Sequence, residues 1–333
     1  MRGRRYFTLS ALAVSLIGSQ ALVGSGRIQT TPSDPERILR DRFQFSPADV
    51  SKARGGQPVA RMIAAGGRDE LAVVGAVRLD GDKKRLADWV KNIEHFRHAA
   101  ELGLTRGIAS PPAVLAFADL ALDAKDLAAL QACRPGGCDL RVPDEVIPKF
   151  QKVAWGTPDA PAQASALVAG MLVEYAQAYL HGGDRAIGNN FGDLLRGATT
   201  FYELAPEFAG YLERFPASSL AGVDSRLYWT NLTADPGSIV SLHHLVAYRR
   251  PSGDLIIADK TIYASRYFDV AALVLSMQDT PDGKSYYLIA GSRIRTSKLS
   301  GVTGRVLRGQ VERSAADTVR MYLEWLRDSL AAR

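Results

Sequence analysis

The sequence predicts an α+β protein in which an antiparallel sheet packs on a long C-terminal helix, with a large helical insertion. β-type segments separated by turns rich in Pro, Gly and Asp crowd the last third of the chain, as in an antiparallel meander. The closing stretch from Gly304 to Leu330 repeats apolar residues every three or four positions, the period of an amphipathic helix. Between an early strand–helix pair and the meander, about 120–220 is helical in pattern.

Residues 22–68 read as a leader into the domain. Ser33-Asp34-Pro35-Glu36 is a capping-box pattern opening a short helix through Arg42. Ser46-Pro47-Ala48-Asp49 opens another, closed by Gly55-Gly56. Residues 69–333 then read as one α+β domain. Glu70 to Leu79 is Val-rich and bounded by Asp80-Gly81, which predicts a strand. Asp82 to Ala100 has helical spacing, with Leu86, Trp89, Val90, Ile93 and Phe96 on one side. The insertion begins with a short helix over Asp123–Ala132 and a long one over Ala160–Leu180. One or two more helices fall within Phe191–Phe215, broken near Pro206. Gly182-Gly183 and Gly188-Asn189-Asn190 read as loop punctuation. Strands are predicted over Tyr228–Leu232, Ile239–Arg250, Leu255–Tyr267, Val270–Gln278 and Ser285–Arg295. Leu307, Val311, Ala315, Val319, Tyr322 and Leu326 mark the apolar side of the final helix.

The first residues read as an export address. Arg2, Arg4 and Arg5 precede an uncharged run from Phe7 to about Gly26, and Ser19-Gln20-Ala21 supplies small residues for a cleavage site. Residues 1–21 are therefore expected to be a signal peptide, with a periplasmic or secreted product. Gly3-Arg4-Arg5-Tyr6-Phe7 resembles the twin-arginine export signal, departing from it at Gly3 and Thr8. An ordinary secretory signal is the alternative. The apolar run falls short of the roughly 20 residues that a permanent span needs, and no later segment approaches that length.

Composition is that of ordinary globular material, with 47% hydrophobic and 23% charged residues. The formal charge of +6 falls to +3 without Arg2, Arg4 and Arg5. That charge is small and evenly spread, unlike the clustered Lys and Arg of a nucleic-acid surface. The two cysteines, Cys133 and Cys138, bracket Arg134-Pro135-Gly136-Gly137. A turn there brings the thiols together, and an oxidising compartment favours a local disulfide that pins it. A haem or metal site would need a Cys-x-x-Cys-His or a second cysteine pair, and neither occurs.

A strand and helix, inserted helices, an antiparallel meander and a long last helix form an order that resembles the START-like helix-grip fold. The matching parts are 70–100 and 226–330, and the helical insertion is an addition to that pattern. The resemblance implies a sheet wrapped on the last helix, with a cavity between them for lipids or other apolar ligands. Glu70–Leu79, Cys133–Cys138, Tyr228-Trp229 and Tyr263–Asp269 also look like a group of exported bacterial proteins with no assigned activity.

Candidate site residues concentrate on the strands. His243 and His244 are adjacent, so they point to opposite faces. His244 shares its face with Val240, Leu242, Val246 and Tyr248, which also suits a hydrogen-bonded core histidine. From Asp259 onward, alternation places Asp259, Thr261, Tyr263, Ser265 and Tyr267 on one face, a set suited to a cavity that orients a mostly apolar ligand. A half-exposed strand of good β-formers is the competing interpretation. Arg293 and Arg295 share a face of the last strand and are candidates for an anionic head group, or for plain surface residues. His95 and His98, three apart, have metal-ligand spacing but lack a cysteine partner and equally suit a solvated helix face. No Gly-x-Ser-x-Gly, His-Glu-x-x-His, phosphate-binding loop or dinucleotide fingerprint is present. Asp224-Ser225 and the two strand histidines are the residues from which a hydrolytic triad would have to assemble.

These observations favour an exported protein that binds a small apolar or amphipathic molecule as a carrier or chaperone. The expected site residues are His244, Asp259, Thr261, Tyr263, Ser265, Tyr267, Arg293 and Arg295, with no cofactor, metal or nucleic acid. The alternatives are an enzyme on the same scaffold with His243 or His244 as base beside Asp259 or Tyr263, and an envelope interaction protein.

Overall fold

The computed structural model describes residues 34–81, 83–94, 103–189, 191–196, 205–234, 237–251, 253–299 and 301–331. The export signal, Ser33 and the His95/His98 pair lie outside the described residues. The architecture is α+β, as the sequence predicts. An eight-stranded antiparallel sheet has the order β1-β2-β8-β7-β6-β5-β4-β3. Its strands are β1 (Val59–Met62), β2 (Glu70–Asp80), β3 (Leu104–Ile108), β4 (Val223–Ala234), β5 (Gly237–Arg249), β6 (Leu255–Ala264), β7 (Val270–Asp279) and β8 (Ser285–Arg295). Consecutive strands of the meander β4–β8 are separated by two to five residues in the chain. β2 closes on β8, so the first long strand lies beside the last.

Two helices cover one face, here called the front: α3 (Lys84–Lys91) and the C-terminal α9 (Gly301–Ala331). Val319, Leu323 and Leu326 of α9 pack with Val73, Val77 and Leu288 of the sheet. Full burial of such a side chain contributes about 1.5–3 kcal/mol. Hydrogen bonds hold both ends of the helix. Arg308 donates to the carbonyls of Arg68 and Glu70, Arg85 to that of Leu330 and Arg327 to that of Gly56.

The rear face is covered by the leader and the insertion. Helices α1 (Pro35–Asp41) and α2 (Pro47–Arg54) bury Ile38, Leu39, Val50 and Ala53 against Val74, Ala76, Tyr287 and Ile289. Asp34 caps α1 by accepting from the Glu36 N–H, and Ser46 caps α2 by accepting from the Asp49 N–H. Strand β1 pairs with β2, so the described part of the leader belongs to the folded unit and 69 marks no structural boundary. The insertion supplies α4 (Ala124–Ala132), α5 (Ile147–Gln151), α6 (Ala160–Ala186), α7 (Phe191–Arg196) and α8 (Pro206–Arg214). Cys133 and Cys138 are joined by a disulfide with Cα atoms 4.5 Å apart. Across that turn, Arg134 and Gly137 exchange backbone hydrogen bonds.

Three local readings need correction. The short strands β1 and β3 carry too few residues for an alternation to show. Gly182-Gly183 lies within α6 and kinks it: Gly183 has φ +63, and a Cβ there would lie 2.0 Å from the Phe215 carbonyl oxygen. Strand β6 stops at Ala264, short of the expected Tyr267, and carries a bulge at Ile262 that shifts its register with β5. Leu242 faces Tyr263 while His243 faces Thr261, which leaves Ile262 as the extra residue.

Gly75 on β2 sits directly beneath α9. A Cβ there would lie 2.7 Å from Leu323 Cδ1, 2.7 Å from Val319 Cγ1 and 3.0 Å from the Val59 carbonyl oxygen. Gly75→Ala is therefore expected to cost about 1–3 kcal/mol through overpacking, read as a lower urea midpoint. An unchanged midpoint would show that α9 does not bear on β2 at this residue.

Candidate functional site

The register of the central strands lays out the floor of a cavity on the front face. Leu245, Asp259, Leu273 and Ser292 form one row across β5, β6, β7 and β8, and Ile257 and Leu275 belong to the next. Leu86 and Val90 of α3, with Ile93 just beyond it, form one wall. Thr318, Val319, Met321, Tyr322 and Trp325 of α9 form the other. The space between them, a cleft partly open to solvent, measures about 470 Å³, within the range of small-molecule sites. Most of its lining is aliphatic or aromatic. Met321 is 56% exposed, while the Tyr322 and Trp325 rings stack 6.1 Å apart on the same helix. The cavity lies beside the seat of α9, which rests on β1 and β2 near Gly75.

Asp259 brings charge to this floor. Its Oδ2 accepts from the Tyr228 hydroxyl, and its Oδ1 lies 3.2 Å from His243 Nδ1. An ionised carboxylate only accepts, so the imidazole proton of this contact sits on Nδ1. The His243 and Tyr228 rings stack at 4.5 Å and 10°. The Thr230 and Thr261 hydroxyls stand 3.4 Å from His243 Nε2 and Nδ1 respectively. Two donors from neighbouring strands thus fix the carboxylate, and Asp259 is the member of this group that borders the cavity.

His244 points the other way, as adjacent strand positions require. Tyr179 Oη meets its Nδ1 at 2.7 Å and Ser225 Oγ meets its Nε2 at 2.7 Å. Burial, with a smaller push from the Lys260 charge, pulls its pKa down to about 3. The Ser225–His244 contact has the geometry of a nucleophile and base, but an imidazole so hard to protonate is a poor proton acceptor. His244 is a hydrogen-bonded core residue remote from the cavity. Beside it, Lys260 is 1% exposed and donates to Asp184 at 2.6 Å, with its Nζ 4.0 Å from the centre of the Phe191 ring. Burial pushes Lys260 down to about 8 and Asp184 upward, each opposed by its partner's charge.

The bulge also divides the Asp259–Tyr267 series. Asp259 and Thr261 precede it and share the face of His243. Tyr263 and Ser265 follow it and join the rear core. Tyr263 donates to the Arg141 carbonyl at 2.6 Å, and the Ser265 hydroxyl accepts from the Val240 N–H at 3.0 Å. Tyr267 lies beyond the strand at φ +70, where its carbonyl accepts from the Thr296 hydroxyl. Arg293 and Arg295 also lie on the rear face, where both bind Glu70, with Arg293 Nη2 at 2.9 Å and Arg295 Nη2 at 2.5 Å. Burial opposes ionisation of Glu70, but these two hydrogen-bonded arginines outweigh it and hold the carboxyl below its usual range. Of the residues expected at one site, Asp259 lines the cavity and Thr261 reaches its histidine. His244, Tyr263, Ser265, Arg293 and Arg295 lie on the opposite face.

Sequence reasoning missed Tyr228, Ile257, Leu273, Leu275, Ser292 and Trp325. A usable signal was present: Leu255, Ile257 and Asp259 form an alternating series in which a carboxylate continues an apolar row.

No protein-family model matches the chain, nor does any curated protein. Among solved structures, one similar chain is the di-domain ARO/CYC StfQ from the steffimycin biosynthetic pathway, at 19% identity. The match covers 37% of this chain and 43% of that one, with a TM-score of 0.21. A TM-score this low carries no argument about fold or function. Among the described residues, no helix is long and apolar enough to cross a membrane and no cluster of His, Cys, Asp and Glu is placed to hold a metal ion.

His244 makes stability depend on acid. Its folded pKa lies below the unfolded value of about 6.5, so the unfolded chain takes up the proton first. Its contribution is fully present above that value and is lost as pH falls toward 3. In that window wild-type unfolding free energy should fall about 1.4 kcal/mol per pH unit more steeply than in His244→Gln. Denaturant melts of both proteins from pH 7 to 4 check this, and parallel curves would refute it.

Proposed function

We propose that this protein binds a small, mostly apolar molecule between its sheet and its C-terminal helix, as an exported carrier or chaperone. The observation that carries the reading is the cavity of about 470 Å³ under α9, floored by Leu245, Ile257, Leu273 and Leu275 and carrying few polar groups. A guest of matching volume would remove the apolar lining of this cleft from water. The export part of the reading rests on the basic, apolar and small-residue order of residues 1–21. It predicts a periplasmic product whose N-terminus, by sequencing, lies near Leu22.

The binding test uses the neutral apolar dye N-phenyl-1-naphthylamine. Wild-type protein should enhance its fluorescence saturably, and Leu275→Trp, which fills the floor, should weaken binding at least tenfold. Leu275→Phe guards against misfolding and should give an intermediate loss with an unchanged far-ultraviolet spectrum. Equal dye affinity in all three proteins would sink the proposal.

One observation favours a second reading, an enzyme on the same scaffold. His243 and Asp259 form an oriented imidazole–carboxylate pair whose carboxylate borders the cavity. His243→Asn separates the two readings once a turned-over compound is found. An enzyme loses turnover by 100-fold or more with dye binding retained, whereas for a carrier no compound is consumed at all.

A further inference from the structure

We infer that Met321 is a modification site, where oxidation of the thioether by a peroxide loosens the hold of the cleft on its guest. This rests on the binding reading above and adds a chemical control of the same site. Three observations meet at this residue. Its apolar side chain is 56% exposed. It lines the cleft beside α9. Helical spacing also sets it in one stripe with Thr318, Tyr322 and Trp325, which line the cleft too, since positions three and four apart are neighbours on a helix surface. Val319, Leu323 and Leu326 form the adjoining stripe that packs on the sheet. Met321 therefore stands on the outer lip of the cleft, within reach of solvent and of a guest.

The sulfur chemistry of the chain directs an oxidant to this residue. Thiolates are the usual targets of a peroxide, but both cysteines are joined in the Cys133–Cys138 disulfide. The other sulfurs are thioethers. Met171 and Met277 are buried at 6% and 0% exposure, and Met62 is half-buried against the front core. Met1 lies outside the described residues, in the expected signal peptide. In the reaction a sulfur lone pair attacks one oxygen of hydrogen peroxide. The S–O bond forms and the O–O bond breaks. The departing hydroxide takes the proton of the transferred oxygen, so peroxide is reduced to water as the thioether becomes a sulfoxide. The product is polar where the parent was soft and apolar. A guest then has to strip water from the new S=O without supplying a donor, or the side chain turns outward and its apolar contacts are lost. Both outcomes weaken binding, and enzymatic reduction of the sulfoxide reverses them.

The test compares N-phenyl-1-naphthylamine binding before and after exposure to hydrogen peroxide at neutral pH. Peptide mass spectrometry should find one added oxygen at Met321 before Met62, Met171 or Met277 gains one. Dye affinity should fall by about fivefold or more in step with that product. Methionine sulfoxide reductases for both epimers should restore it in the wild-type protein. Met321→Leu, compared with its own untreated affinity, should change less than about twofold on the same exposure, whereas Met62→Leu should respond as wild type does. Met321 sulfoxide formed without loss of affinity overturns the inference and spares the binding reading. So does an equal loss in Met321→Leu, or oxidation of a buried methionine ahead of Met321. Absence of dye binding in untreated wild type removes both.

Discussion

One close approach organises the front face of this fold: α9 rests on β2 where Gly75 has no side chain. Val319 and Leu323 occupy the volume that any Cβ at 75 would claim. The arginines at 308 and 327 tie the helix to carbonyls of the β2 edge and of Gly56. A helix seated there lies off the centre of an eight-stranded sheet. α3 supports the opposite side, and the strip of floor between them faces a gap. The cavity lies beside that seat, floored largely by aliphatic side chains.

The bulge at Ile262 is the second organising feature. An extra residue in β6 leaves a carbonyl outside the ladder, and buried carbonyls require partners. Ile262 O receives two, from the Tyr175 hydroxyl at 3.1 Å and the Asn189 amide at 2.7 Å. Both donors come from the helical insertion. The irregularity in the strand is therefore the point where the insertion fastens to the sheet. Upstream of it, β6 presents Ile257 and Asp259 to the cavity. Downstream, Tyr263, Ser265 and Tyr267 hold rear-face structure together.

The two faces treat buried charge differently. On the rear, Glu70 with Arg293 and Arg295, Lys260 with Asp184, and Asp126 with Arg266 are closed groups in which each charge meets its opposite. Such pairs rarely add much net stability, but removing one member is costly. On the front, Asp259 is held by a phenol and an imidazole and borders open space.

The sequence by itself determined the types and order of the longer elements. Periodicity is a local property, so the amphipathic final helix, the long strands of the meander and the cap at Ser46 were all legible from neighbours in the chain. The Cys133–Cys138 disulfide was legible for the same reason, since only the four residues Arg134–Gly137 lie between its ends. Only the tertiary structure decided which side chains meet. Alternation counted from Asp259 sent Tyr263 to the wrong face because a single-residue bulge reverses every later position, and the bulge is set by pairing with β5. The partnership of Glu70 with Arg293 and Arg295 spans more than 200 residues and leaves no local trace. The seat of α9 likewise depends on a glycine far away in the chain. Distance along the polymer, and not weakness of the signal, separates what could be read from what had to be folded.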